Sequence, residues 1–426
     1  MVPDVHELAL SNGLRALLVR RSSLPVVASS IWYRVGSRDE RTGETGLSHF
    51  LEHMMFKGTD RYAKGEIDLL TSRMGGSNNA FTDNDLTGYY FSLASDRWET
   101  ALEIEASRMR NCLLDAAEFA AEKNVVLEEM AMGEDDPWTS IYRRTESLVY
   151  QVHPYHHPII GWRQDIERVP VETMRGYYRR NYGPDRATLV IVGDIDLDRT
   201  EGRIHELFGG EQPIGGVREA VLGEPEPEGD RRATIRTPGT TTRLAIAAQT
   251  CRMGEDDDFT LDVLSCVLAN GKASRLFRDM VLEQQLVSEV GTVNEPRLDP
   301  GAFWFTFELS PGVEPTRVED ALRAQLRQVE EHGVSDEELR RARTQLTSAF
   351  LFEEETALDS ALRIGRWDAQ CRGGYRRLAE VETRYAAVDS ARLQSAVARY
   401  LSPMTWNVVT SLPGGDAERG NGAGDA

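Results

Sequence analysis

Gly46-Leu-Ser-His-Phe-Leu-Glu-His-Met-Met-Phe-Lys-Gly58 is the stretch around which the rest of the chain reads. On an α-helix His49 and His53 lie four residues apart, so both imidazoles leave one face about a turn apart and can grip one metal ion. Glu52 falls on the same side, within reach of a metal-bound water. Neutral imidazoles suit zinc and a neighbouring carboxylate suits a general base, so His-x-x-Glu-His points to metal-assisted hydrolysis. Leu47, Phe50, Leu51, Met54 and Met55 form the core-facing side of the same helix, and two histidines on such a helix can equally be satisfied core groups. A third ligand decides between the readings.

Asp115 to Met132 reads as a helix that can supply one. Glu122 and Glu129 are seven residues apart, two turns, and share a face, so either can reach inward. The alternative is that Glu122, Glu128 and Glu129 form a solvated acidic face. His153-Pro-Tyr-His-His157 has no acidic or Cys partner at ligand spacing, so it reads as a surface loop rather than a second metal site.

With 426 residues, 40% of them hydrophobic and 28% charged, the chain is globular and too long for one ordinary core. A formal charge of −20 argues against nucleic acid or an anionic membrane as partner, since both call for clustered Lys and Arg. Cys112, Cys251, Cys266 and Cys371 are scattered, without a Cys-x-x-Cys pair, and read as reduced core thiols. No window approaches the ~20 apolar residues of a membrane span, and the start lacks a basic stretch followed by an apolar one. The expectation is a soluble, cytoplasmic chain, or a periplasmic one if a signal peptide has been removed.

Around the His-bearing helix the pattern is mixed. A hairpin turns at Asn12-Gly13, a strand runs from Val26 to Val35, and Asn79 to Leu93 is extended around Asn84-Asp85. Helices are expected over 65–74, 98–109, to about Tyr150, and over 171–182 and 197–208, with a strand over 187–192. After a Gly-, Pro- and Glu-rich linker at 211–231 the same grammar restarts. Strands over 233–237 and 243–249 precede helices over 259–268 and 274–284, a strand over 302–309, and long helices over 315–331 and 335–355. Tyr182-Gly-Pro to Val192 corresponds to Tyr400-Leu-Ser-Pro to Thr410, with Pro184 placed on Pro403. The fold class is therefore α+β, in two homologous repeats, each an antiparallel sheet backed by helices. The N-terminal repeat, 1–210, carries the metal motif; 232–413 is a degenerate copy without it; 414–426 reads as a disordered tail.

Five segments in this order carry a family resemblance: Gly46 to Thr59, Gly75 to Thr82, Glu122 to Glu129, Pro158-Ile-Ile-Gly161 and Tyr182 to Gly193. Together they resemble the pitrilysin family of inverted-motif zinc peptidases, in the short two-repeat form that includes the mitochondrial processing peptidase subunits and bacterial relatives. The resemblance implies half of a clamshell chamber and one Zn2+ per chain, held by His49, His53 and Glu129. Glu52 would activate the water and Glu122 would support it from the same helix face. Asn79, Ala80, Phe81 and Thr82 would form an edge strand on which an extended peptide substrate pairs.

One departure stands out. Active single-chain members carry an Arg and a Tyr seven residues apart in the second half, and here those positions hold Val281 and Ser288. Arg275 or Arg278 is the candidate replacement. The resemblance thus implies a metalloprotease acting on unfolded peptides or leader segments as the metal-bearing subunit of a heterodimer, a related chain supplying the donors, with a homodimer as the other arrangement. A non-catalytic chaperone-like subunit and a maturation protease for one precursor peptide are the competing readings.

Overall fold

The computed structural model describes residues 4–216, 221–402 and 405–414. Pro403 and the tail beyond 414 lie outside the described residues. Six strands build the first sheet: β1 (His6–Ala9), β2 (Arg15–Arg20), β3 (Val26–Tyr33), β4 (Ser77–Thr82), β5 (Thr87–Ala94) and β6 (Ala187–Gly193), in the order β1-β2-β6-β3-β5-β4. The second contains β7 (Arg231–Thr237), β8 (Arg243–Gln249), β9 (Val287–Glu295), β10 (Ala302–Leu309) and β11 (Asn407–Pro413), in the order β7-β11-β8-β10-β9. Dropping β1, the two orders coincide strand for strand, as the repeat reading requires.

Neither sheet is wholly antiparallel, which corrects the sequence expectation. In each, the last strand inserts between the first two of the shared order: β6 between β2 and β3, β11 between β7 and β8. A strand placed between two that run in opposite directions must be parallel to one of them. Accordingly β6 is parallel to β2 and antiparallel to β3, and β11 is parallel to β7 and antiparallel to β8.

Strands apolar on both sides need cover on both faces. Ala16 and Leu18 of β2 join Ile31, Tyr89, Leu189 and Ile191 against α1 (Leu47–Met54), whose Leu47, Phe50, Leu51 and Met54 are fully buried. Also packed there are α2 (Glu66–Arg73), α3 (Glu99–Asn111) and α4 (Ala116–Asp135). Leu17, Val19, Trp32, Val190 and Val192 face the other way, and Ala361 and Ile364 of the helix Ala357–Gln370 close over them. On the second sheet Ala245 and Val409 pack against Ile141 of α5 (Pro137–Val149).

Each sheet is thus covered on one face by a helix from the other end of the chain. One compact unit comprises 1–130, 157–221 and 350–379, the other 131–156, 222–349 and 380–426. The contiguous spans 1–210 and 232–413 are sequence repeats, not the compact units of the fold. Nor is 211–231 wholly exposed: Glu224 Oε2 accepts the amides of Gln151, Val152 and His153 at 2.9, 2.8 and 3.0 Å. The stretch 153–157 is likewise no surface loop, since His153, Tyr155 and His157 are buried.

The helix over Trp32 depends on a glycine. A Cβ at Gly365 would lie 2.0 Å from Trp32 Nε1, which donates to Ser30 Oγ at 2.9 Å. Gly365→Ala gains helix propensity but overpacks this contact, and a net loss of about 1–3 kcal/mol is expected. Chemical denaturation monitored by Trp fluorescence measures it.

Candidate metal centre

α1 begins without a capping side chain of its own, at Gly46 in the left-handed region with φ 87°. Its first amides are satisfied from outside: the Gly46 N–H donates to Glu40 Oε2 and the Ser48 N–H to Glu40 Oε1, both at 2.7 Å. Burial pushes the Glu40 carboxyl up to about 8, against the pull of those two hydrogen bonds. Gly46 and Gly161 allow a close backbone approach, since a Cβ at Gly46 would meet Ile160 O at 2.4 Å and one at Gly161 would meet Thr45 O at 2.4 Å. Thr45 Oγ1 donates to Asp165 Oδ2 at 2.6 Å and accepts the Trp162 N–H at 2.9 Å. The Pro158-Ile-Ile-Gly161 segment therefore docks on the start of the His-bearing helix.

One turn later His49 and His53 face α4. His49 Nε2 lies 3.6 Å from Glu129 Oε1, and His53 Nε2 lies 3.6 Å from Glu129 Oε2. Both separations are too long for hydrogen bonds. They match the spacing of ligands about a shared ion, because two donors each 2.0–2.1 Å from a tetrahedral zinc stand about 3.4 Å apart. His49, His53 and Glu129 are also the group of described residues whose donor atoms converge within 4.8 Å. Two imidazole nitrogens and a carboxylate oxygen, with one side left open, suit a hydrolytic zinc.

Supporting contacts surround the three. His53 Nδ1 lies 3.0 Å from Glu122 Oε1, and Lys57 Nζ lies 2.6 Å from Glu122 Oε2. Burial acts to raise the Glu122 pKa, yet Lys57 and His53 hold it below the ordinary carboxylate value. Glu122 thereby fixes the His53 ring so that Nε2 points at Glu129. Burial, with His53 beside it, lowers His49 to about 4, so its ring is neutral and able to ligate at neutral pH. Glu52 Oε2 accepts from Thr82 Oγ1 at 2.6 Å, and burial nonetheless raises its pKa above the usual carboxylate range.

With this geometry in view, comparison with known proteins adds descent. Residues 15–162 match the family model described as Insulinase (Peptidase family M16), and residues 168–346 match the Peptidase M16 inactive domain. The chain belongs to peptidase family M16, the pitrilysin family. Zinc protease PqqE of Helicobacter pylori is 27% identical over 84% of this chain and 82% of its own length. An uncharacterized zinc protease of Bacillus subtilis, YmxG, is 27% identical over 95% of this chain and 97% of its own. The crystal structure of a protease from Helicobacter pylori superposes with a TM-score of 0.91 at 25% identity, covering 96% of this chain and 100% of that one. A putative M16-like peptidase from Alicyclobacillus acidocaldarius shares the fold, with a TM-score of 0.84 at 20% identity over 96% and 98% of the two chains.

Against this M16 frame the other predicted residues sort themselves. β4 is an edge strand, paired only with β5. Thr82 faces α1 and holds Glu52, and Ala80, two residues away, shares that face. The Phe81 side chain points to the opposite face, edge-on to Trp32 at 5.3 Å and over Gly88, so it packs the sheet. Ser288 is the extra residue of a bulge where β9 meets Glu308 and Leu309, and it is exposed. Arg275 is committed: its guanidinium pairs with Glu338 at 2.6 and 2.9 Å and donates to Gly333 O at 3.1 Å. Arg278 is exposed on an open groove of about 710 Å³. The sequence reading passed over Glu40 and Lys57. The signal for Glu40 was a helix opening on glycine, which leaves its amides to a distant acceptor.

Two outcomes follow for the isolated protein. Glu122→Gln loses the charge that orients His53, and zinc affinity should fall about 10- to 100-fold by competition with a chromophoric chelator. In the metal-free protein, folding keeps His49 neutral down to about 4 while the unfolded chain takes the proton near 6.5. Stability is then lost as pH falls through that window, by about 3 kcal/mol from this residue. Urea titrations at pH 7 and pH 4 should show that increment in the wild type and not in His49→Gln.

Proposed function

We propose that this chain is a zinc endopeptidase of unfolded peptides or leader segments, and the metal-bearing subunit of a two-chain enzyme. The observation that carries the hydrolytic reading is the pair of 3.6 Å separations between Glu129 and the two imidazoles, with the Glu52 carboxylate on the same helix. That relatives matched over most of both chains are named zinc proteases supports it.

His49, His53 and Glu129 would hold the zinc, with Glu122 and Lys57 setting the His53 ring. Zinc bound there supplies Lewis acidity, polarising the scissile carbonyl and acidifying a water. Glu52 takes the proton from that water and delivers it to the leaving amine; its raised pKa strengthens it as a base. Thr82 holds one Glu52 oxygen, which orients the other. An extended peptide would add to β4 through main-chain hydrogen bonds, with Ala80 and Thr82 on the side of α1. Val281 has no donor to offer a tetrahedral oxyanion, the bulged Ser288 turns its short hydroxyl to Glu308 O at 3.4 Å, and Arg275 is held by Glu338. The missing donors are therefore assigned to a related partner chain.

Glu52→Gln should retain zinc and lose about 10²–10⁴-fold in cleavage of an unstructured fluorogenic peptide. Wild-type cleavage should rise on adding a family subunit that carries the Arg and Tyr. Full activity of Glu52→Gln would remove the base assignment, and full activity of the purified chain alone would remove the two-chain one.

A further inference from the structure

We infer that Glu40 is a positioning residue of the metal centre, a buried clamp that fixes where the His-bearing helix begins. This inference rests on the zinc reading above and deepens it.

α1 is only eight residues long, with His49 in its first turn and Glu52 and His53 in its second. A helix that short has little stability of its own, so its position is set by whatever holds its ends. At the start, no local side chain caps it and the N-cap residue is a glycine. Glu40, buried with 8% of its surface exposed, binds the Gly46 and Ser48 amides with one oxygen each. The two bonds together fix both the position and the rotation of the first turn. His49 follows Ser48 directly, so any rotation at Ser48 is passed to the ring that must meet Glu129 at ligand distance. Two further contacts limit motion: Ser48 Oγ lies 2.7 Å from Tyr177 OH, and Gly46 abuts Ile160 O. Glu40 is the one of these that binds the helix backbone through two hydrogen bonds.

Glutamine at this position is a sharp probe. Charged or protonated, a carboxyl can accept at both oxygens, whereas the nitrogen of an amide can only donate. In Glu40→Gln one of the two N–H groups faces another donor and is left without its acceptor. The turn should shift to relieve this, moving His49 relative to Glu129.

The test measures zinc affinity by chelator competition and the visible spectrum of the cobalt-loaded protein, for wild type, Glu40→Gln and Gly365→Ala. Gly365→Ala destabilises the same unit from the opposite face of the sheet and serves as the control for stability alone. Expected are a tenfold or greater loss of zinc affinity and an altered cobalt spectrum in Glu40→Gln, with Gly365→Ala like the wild type in both. A folded Glu40→Gln with wild-type affinity and spectrum overturns the inference, and so does an equal affinity loss in both variants. If Glu40→Gln does not fold, Glu40→Asp takes its place; it keeps the carboxyl but cannot span both amides, and wild-type affinity there is equally fatal. A wild-type chain that binds no zinc overturns the metal reading itself and the clamp with it, which is distinguishable because the defect then precedes any substitution.

Discussion

Phe50 stacks on Phe119 with ring centroids 4.6 Å apart, and the spacing of the candidate metal ligands depends on that contact. Phe50 follows His49, and Phe119 lies one turn before Glu122, so the stack sets the distance between α1 and α4 directly beneath the polar groups. Polar side chains alone would not hold such a gap. Two imidazoles and a carboxylate left to themselves would close into ordinary hydrogen bonds near 2.8 Å, whereas here they stand at 3.6 Å. The aromatic pair, with Leu51, Met54 and Val126 around it, lets apolar burial position groups whose own attraction would draw them together.

Around that spacing the polar contacts are layered. Glu122 acts on His53 and Lys57 on Glu122, while Thr82 acts on Glu52 from the edge strand. Each supporting group comes from a different element from the one it supports: Glu122 on α4 holds His53 on α1, Lys57 just past α1 holds Glu122, and Thr82 on β4 holds Glu52. Small shifts of one element are thus resisted by another, and this is how a site on a short helix becomes rigid without being deeply buried.

Much of this was legible in the residues. His49, Glu52 and His53 follow from helical spacing alone, and Glu122 with Glu129 from a seven-residue interval, although choosing Glu129 as ligand needed the family. β9 was not legible: the bulge at Ser288 puts the buried Val287 and Val290 three residues apart, and Val293 lies exposed on the other face, so the alternation that marks a strand is broken. The helix Ala357–Gln370 has no counterpart in the sequence reading, which stops the preceding long helix at 355, although Thr356 and Asp359 form a reciprocal cap at its start. Long-range partners such as Glu40 leave almost no local trace, because what makes them necessary is a deficiency in another segment.

The helix Ala357–Gln370 also bears on how the protein comes to exist. Chains emerge from the ribosome N-terminus first, and the first sheet is complete in its strands by Gly193. Yet Trp32, Val190 and Val192 stay uncovered until residues near 364 have been made, because their cover lies at the far end of the message. The half of the sequence that carries the candidate metal ligands therefore waits through the synthesis of the other half with an apolar sheet face open to water. The compact unit holding those ligands is complete only at residue 379, so a ribosome that stops earlier releases a chain in which it is unfinished.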